Sequence, residues 1–121
     1  SARMVYYPPL RLISDRFIDD SRYADDYVRE KSHLSVWGAR KIAMHLRQKG
    51  VDKNVIDEAL KQLDGEKELS GLVEKLRRKI PVTKHSTEYE LRGKLLRYAL
   101  SLGFDYDMAI EAVDAAVDAT N

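Results

Sequence analysis

Three histidines, His33, His45 and His85, are the side chains of this sequence best suited to proton transfer or metal ligation at neutral pH. None stands at a metal-ligand spacing from another with a carboxylate beside it, and no H-E-x-x-H occurs. The serines lack the strand-to-helix context of a nucleophile elbow, and no G-x-x-x-x-G-K-[ST] run is present to cradle phosphates. There is no cysteine, which excludes disulfides, thiolate metal sites and cysteine nucleophiles.

The densest acidic cluster is Asp19, Asp20, Asp25 and Asp26. On a helix beginning near Asp19 these carboxylates complement the positive end of the helix dipole rather than hold a metal. His45 falls on the flank of an apolar stripe and is expected to be partly buried. The residues therefore predict no catalytic centre, metal or cofactor, and the protein reads as a non-enzyme.

The elements that carry these residues follow helical rather than strand spacing from Asp19 onward. Tyr23, Tyr27 and Val28 predict a first helix, with Asp19, Asp20 and Ser21 as acceptors at its start. Ala39, Ile42, Ala43 and Leu46 form the apolar face of a second helix, with Ser35 as N-cap and Gly50 as the left-handed residue past its end. Asp52 caps a third, whose inner face is Val55, Ile56, Ala59, Leu60 and Leu63, ending before Gly65. Leu69, Leu72, Val73, Leu76 and Ile80 define a fourth helix stopped by Pro81. Leu91, Leu95, Tyr98, Ala99 and Leu102 define a fifth closed by Gly103, and a sixth starts at Asp105 or Asp107.

The six helices fall into two triplets. A shift of 53 positions places Lys41 on Lys94, Ile42 on Leu95, Gly50 on Gly103, Asp52 on Asp105, Glu58 on Glu111, Ala59 on Ala112 and Leu60 on Val113. The expected architecture is all-α: tandem three-helix repeats over residues 17–65 and 66–121, forming an elongated, curved array. Residues 1–16 read as an N-terminal remnant, with Leu10 to Arg16 as the end of a preceding repeat and "SARM" as a trimmed start. Composition agrees with one small domain or a few repeats, at 121 residues, 44% hydrophobic and 34% charged. No signal-peptide pattern and no apolar run of ~20 residues occurs, so a soluble, cytoplasmic protein with no membrane contact is expected.

Net charge is only +1, from 21 basic and 20 acidic residues, so the distribution must carry any information about partners. "LRQKGVDKNVIDEAL", Leu46 to Leu60, has the local grammar of a DNA-reading helix-turn-helix. Its second helix is acidic, however: Gly50 to Glu68 holds Lys53, Lys61 and Lys67 against six carboxylates, net −3, which phosphates would repel. The positive charge sits elsewhere. Arg29 to Lys49 carries six bases against Glu30, net +5, and Lys75 to Arg97 eight bases against Glu88 and Glu90, net +6.

On a helical wheel with Ile42 and Leu46 inward, Met44 points outward among Arg40, Lys41 and Gln48, an apolar spot ringed by bases that suits a protein contact. Helical geometry and the repeat together select Arg40, Lys41, Met44, Arg47, Lys94 and Arg97 as partner-contact candidates. Leu96 and Leu100 lie off the main face of the fifth helix, so that helix is either covered on two sides or presents a second contact. Trp37 is expected to pack between helices rather than stack on bases.

"FIDDSRYADDYV" (Phe17 to Val28) followed by "GARKIAMHLRQKGVDKNVIDEAL" (Gly38 to Leu60) resembles the middle three-helix repeat of the RecX family of bacterial regulators. "LRGKLLRYALSLGFDYDMAIEAV" (Leu91 to Val113) is similar to that family's third repeat, and the two cover most of the chain from Phe17. Family members usually carry another such repeat upstream, and here only Leu10 to Arg16 corresponds to its end. The resemblance implies a non-catalytic, cytoplasmic modulator that binds the RecA recombinase filament on single-stranded DNA and, as members generally do, inhibits its activities, with a place in recombination, DNA repair and the SOS response; separately, the chain is expected to be a monomer. It carries no catalytic residue. The alternative from the basic helix faces is a module that binds nucleic acid directly.

Overall fold

The computed structural model describes the backbone of residues 10–119 and the side chains of residues 19–119. These residues form six α-helices and no strand: α1 Leu10–His33, α2 Ala39–Gln48, α3 Lys53–Leu60, α4 Gly65–Lys79, α5 Glu88–Ser101 and α6 Tyr106–Asp118. One 3₁₀ turn, Ile80–Val82, follows α4 where Pro81 withdraws a backbone donor. No helix among the described residues is long and apolar enough to cross a membrane.

The caps explain most helix boundaries. Asp52, Asp64, Thr87 and Asp105 each accept a hydrogen bond from a free N–H of the helix that follows, as expected for Asp52 and, of the two candidates, for Asp105. Two expectations fail. The first helix does not begin near Asp19 but runs on from Leu10, so Asp19 to Ser21 cap nothing and the Asp19–Asp26 cluster lies mid-helix, away from the dipole's positive end. There Asp26 instead pairs with Arg29 at 3.0 Å. Nor does Ser35 cap α2: the N-cap is Gly38, which has no side chain to do so. The opening "SARM" lies outside the described residues.

Two apolar clusters form the core. Ala24, Val28, Ile42, Leu46, Val51, Val55, Ile56 and Ala59 close α1–α3 on one another. Leu72, Leu76, Leu91, Leu95, Ala99, Leu102, Phe104, Ala109, Ala112, Val113, Ala116 and Val117 do so for α4–α6. In each triplet the first and third helices pack most extensively. The internal correspondence at a shift of 53 extends to detail: Ile42 and Leu95 are fully buried, Asp52 and Asp105 are N-caps, and Gly50 and Gly103 end their helices at φ 88° and 97°.

The two triplets meet through backbone. The Gly38 N–H donates to Leu102 O at 2.7 Å and the Arg40 N–H to Gly103 O at 3.2 Å, so carbonyls at the end of α5 satisfy the uncapped start of α2. Glycine is required on both sides. A Cβ on Gly38 would lie 2.5 Å from the Gly103 carbonyl carbon, and one on Gly103 would lie 2.5 Å from the Lys41 nitrogen. Trp37 packs against both clusters, in agreement with its expected role as an inter-helix residue.

Candidate partner-binding surface

Among the described residues no polar or charged residue is buried, so chemistry toward a partner must lie on the surface. The most organised surface feature crosses the junction. On α1, Tyr27 and Lys31 are one turn apart, which places the Lys31 ammonium 5.5 Å from the Tyr27 ring centre and 4.9 Å from that of Trp37. Lys49, just past α2, lies 5.8 Å from the Tyr27 ring, and Lys41 of α2 lies 4.4 Å from Trp37. Beyond the junction, Lys75 of α4 donates to Ser35 O at 2.6 Å, and Lys79 sits 4.6 Å from the Tyr98 ring of α5.

Lys49, Lys31, Lys41, Lys75 and Lys79 thus form a band of ammonium groups interleaved with Tyr27, Trp37 and Tyr98. Ring contacts of about 0.5–1 kcal/mol each hold such groups in place without cancelling their charge. Among the described residues none of these five lysines forms an ion pair with a carboxylate. The pairs among these residues lie elsewhere: Arg29 with Asp26, Lys53 with Asp57, Lys61 with Glu58, Arg77 with Glu74, Arg92 with Glu88, Asp114 and Asp118, and Lys94 with Glu90. Burial, with Lys41, Arg78 and Lys79 close by, lowers the Lys75 pKa from the ordinary lysine value. Burial raises that of Tyr27, with Tyr23 and Glu30 adding to it. An anion on this band would relieve the repulsion among its cations.

The loop between α1 and α2 shapes the band. Val36 holds φ 54°, a left-handed conformation that a β-branched residue adopts only under constraint, at a cost of about 1–3 kcal/mol. The constraint is visible on either side: Trp37 N–H donates to Lys31 O at 2.9 Å, and Lys75 grips the Ser35 carbonyl. Val36 forms one wall of a cleft of about 310 Å³ with Leu34, Lys75, Arg78, Lys79 and Tyr98.

The six contact candidates are not gathered into one place. Lys41 joins the band at Trp37. Arg40 lines a different cleft, of about 220 Å³, with Glu68 and Asp105 among its other walls. Met44, 52% exposed, and Arg47 face solvent from α2. Lys94 is within 3.2 Å of Glu90 and also donates to the Lys84 carbonyl, which reduces its availability; Arg97 is exposed, one residue before Tyr98. Leu96 packs partly on the second cluster, whereas Leu100, one turn further along the same flank, is 37% exposed, so that second side of α5 is covered only in part. His45 is half-buried, its ring 4.7 Å from that of Trp37.

Tyr27, Lys31, Lys49, Lys75, Lys79 and Tyr98 were not singled out as contacts from the sequence. The i, i+4 pair Tyr27–Lys31 was a local signal for part of the band. Its continuation needed the junction, which joins residues about forty positions apart and leaves no periodic trace.

Residues 19–60 match the family described as RecX, second three-helix domain. Regulatory protein RecX of Clostridium botulinum (strain Eklund 17B) is 37% identical over 105 residues, covering 84% of this chain and 48% of that protein. Its namesake from Finegoldia magna is 34% identical over 94 residues, covering 76% and 46%. The chain thus spans about half the length of these curated relatives. The crystal structure of RecX from Lactobacillus salivarius superposes with a TM-score of 0.75 over 85% of this chain and 70% of that one, at 24% identity, a likeness of fold. The helical architecture, the match of residues 19–60 to the second three-helix domain and relatives that share more than a third of the aligned residues agree: the chain is similar over most of its length to the RecX regulatory proteins, and residues 19–60 correspond to their second three-helix domain.

Proposed function

We propose that this chain is a non-catalytic regulatory module that binds the RecA recombinase filament on single-stranded DNA and restrains its activity in recombination and repair, working as a monomer in the bacterial cytoplasm. Its two three-helix units, taken as repeats over residues 17–65 and 66–121, would act as one rigid reader. The observation that carries the reading is the band from Lys49 to Lys79: cations from both units, four held against aromatic rings and Lys75 on the Ser35 carbonyl, none paired with a carboxylate among the described residues. A filament of repeating, charged subunits offers the extended complement that such a band needs for steering and register. Arg40, Met44 and Arg47 on the outer face of α2, with Arg97 and Lys94 on α5, are flanking contacts in this reading.

The test is anisotropy of the labelled protein against a filament preassembled on single-stranded DNA and against the same DNA bare, at low and moderate salt. Binding to the filament that persists at moderate salt supports the proposal. A second reading, direct binding of nucleic acid, is favoured by the interleaving of lysines with rings. It requires equal affinity for bare DNA and a steep loss of affinity with salt, because each neutralised phosphate releases counterions.

A further inference from the structure

The cleft at the junction differs from the rest of the band in being apolar as well as cationic. Lys75, Arg78 and Lys79 line it together with Val36, Tyr98 and Leu34, and Leu34, one residue past α1, is 78% exposed. A leucine left so open, beside cations that pair with no carboxylate among the described residues, has no role in the core: it belongs to neither apolar cluster. The cleft is also preformed, since the Lys75 bond to Ser35 O and the left-handed Val36 fix its wall before anything binds. Lys75 keeps two further N–H donors for an incoming group.

We propose that this cleft seats an acidic peptide segment bearing an apolar side chain, with its carboxylates on Lys75, Arg78 and Lys79 and its apolar group on Leu34, Val36 and Tyr98. The inference rests on the reading of the band as a protein-binding surface and names the chemistry that the surface selects. Charge complementarity alone would admit a phosphate backbone equally, but a phosphate backbone has nothing to cover Leu34. An acidic, apolar segment uses both halves of the cleft at once.

The test uses fluorescein-labelled decapeptides of alternating glutamate and leucine, the same peptide with serine for leucine, and a thymidine oligonucleotide of equal charge. Anisotropy would be read with the whole chain and with Leu34→Ser and Arg78→Glu, both at exposed positions, after circular dichroism shows that each variant is folded. The leucine peptide should bind about tenfold more tightly than the serine peptide, the size of effect expected from burying one or two apolar groups. Leu34→Ser should remove most of that preference, and Arg78→Glu should weaken both peptides. Equal affinity for the two peptides, tighter binding of the oligonucleotide, no binding of the leucine peptide, or indifference to Leu34→Ser would each overturn the proposal. Filament binding separates the two claims. Filament binding by the unaltered chain that shows no preference between the two peptides sinks the cleft and leaves the regulator reading; a peptide preference without filament binding does the reverse.

Discussion

Replacing Gly103 by alanine strikes the contact that joins the two helical triplets, and its cost can be worked from the geometry. Gly103 has φ 97°, and forcing an L-residue into a left-handed conformation costs about 1–2 kcal/mol. The new methyl would lie 2.5 Å from the Lys41 nitrogen and 2.6 Å from its Cβ, so the α5 end must withdraw from the start of α2. Withdrawal breaks the bonds from Gly38 N–H to Leu102 O and from Arg40 N–H to Gly103 O, each of about 0.5–1.5 kcal/mol net. The sum is roughly 2–5 kcal/mol. Gly50→Ala supplies the reference: it has the same kind of φ, 88°, but is solvent-exposed, and should lose only the conformational cost of about 1–2 kcal/mol. Urea denaturation followed by circular dichroism gives the stability. Trp37, the sole tryptophan and the residue packed on both clusters, gives a fluorescence signal from the junction itself. Gly103→Ala should shift the Trp37 transition to lower urea than the helical one, because the junction opens first. Equal losses for the two glycine variants with coincident transitions would refute the argument that this backbone contact couples the triplets.

Core truncations should cost more. Ile42→Ala and Leu95→Ala, both at fully buried corresponding positions, should each lose about 2–5 kcal/mol in chemical denaturation. Arg92→Ala removes the bonds of 2.6 Å to Asp114 and Asp118 that tie α5 to α6; at this exposed site the loss should be no more than about 1 kcal/mol and should shrink in high salt. Burial, with Asp105 and Asp64 nearby, raises the Glu68 pKa. Its folded state therefore holds a proton more tightly than the unfolded chain, and stability falls as pH rises from the ordinary carboxylate value through the raised one. Glu68→Gln should flatten that part of the pH profile of melting and raise the melting temperature at neutral pH. Arg40→Glu combined with Lys41→Glu should weaken filament binding while leaving the helical circular-dichroism signal unchanged; unchanged binding would take α2 out of the interface.

Helical periodicity revealed the apolar faces because burial acts through local spacing: Ile42 with Leu46, and Leu91 with Leu95 and Ala99, all lie inside as their intervals require. The repeat was legible for the same reason, as Gly50 and Gly103 are glycines demanded by one backbone conformation. Starts of helices were less so. Asp19 to Ser21 looked like caps, but capping residues also tolerate helix interiors, and the segment from Leu10 continues the helix through them. Ser35 lost its expected role to a long-range contact, since α2 takes its cap from α5 backbone. The band was half legible: net charge marked its segments, but the pairing of Lys31 and Lys41 on Trp37, and of Lys75 with Ser35, depends on how the triplets dock.

The most direct test of the central claim is the affinity of the labelled chain for a RecA filament on single-stranded DNA, compared with the bare DNA, as salt is raised. Tight filament binding that survives moderate salt, with weak and salt-sensitive binding to bare DNA, is the predicted result. Equal affinity for the two, falling together with salt, would contradict it and make the Lys49–Lys79 band a phosphate-binding surface.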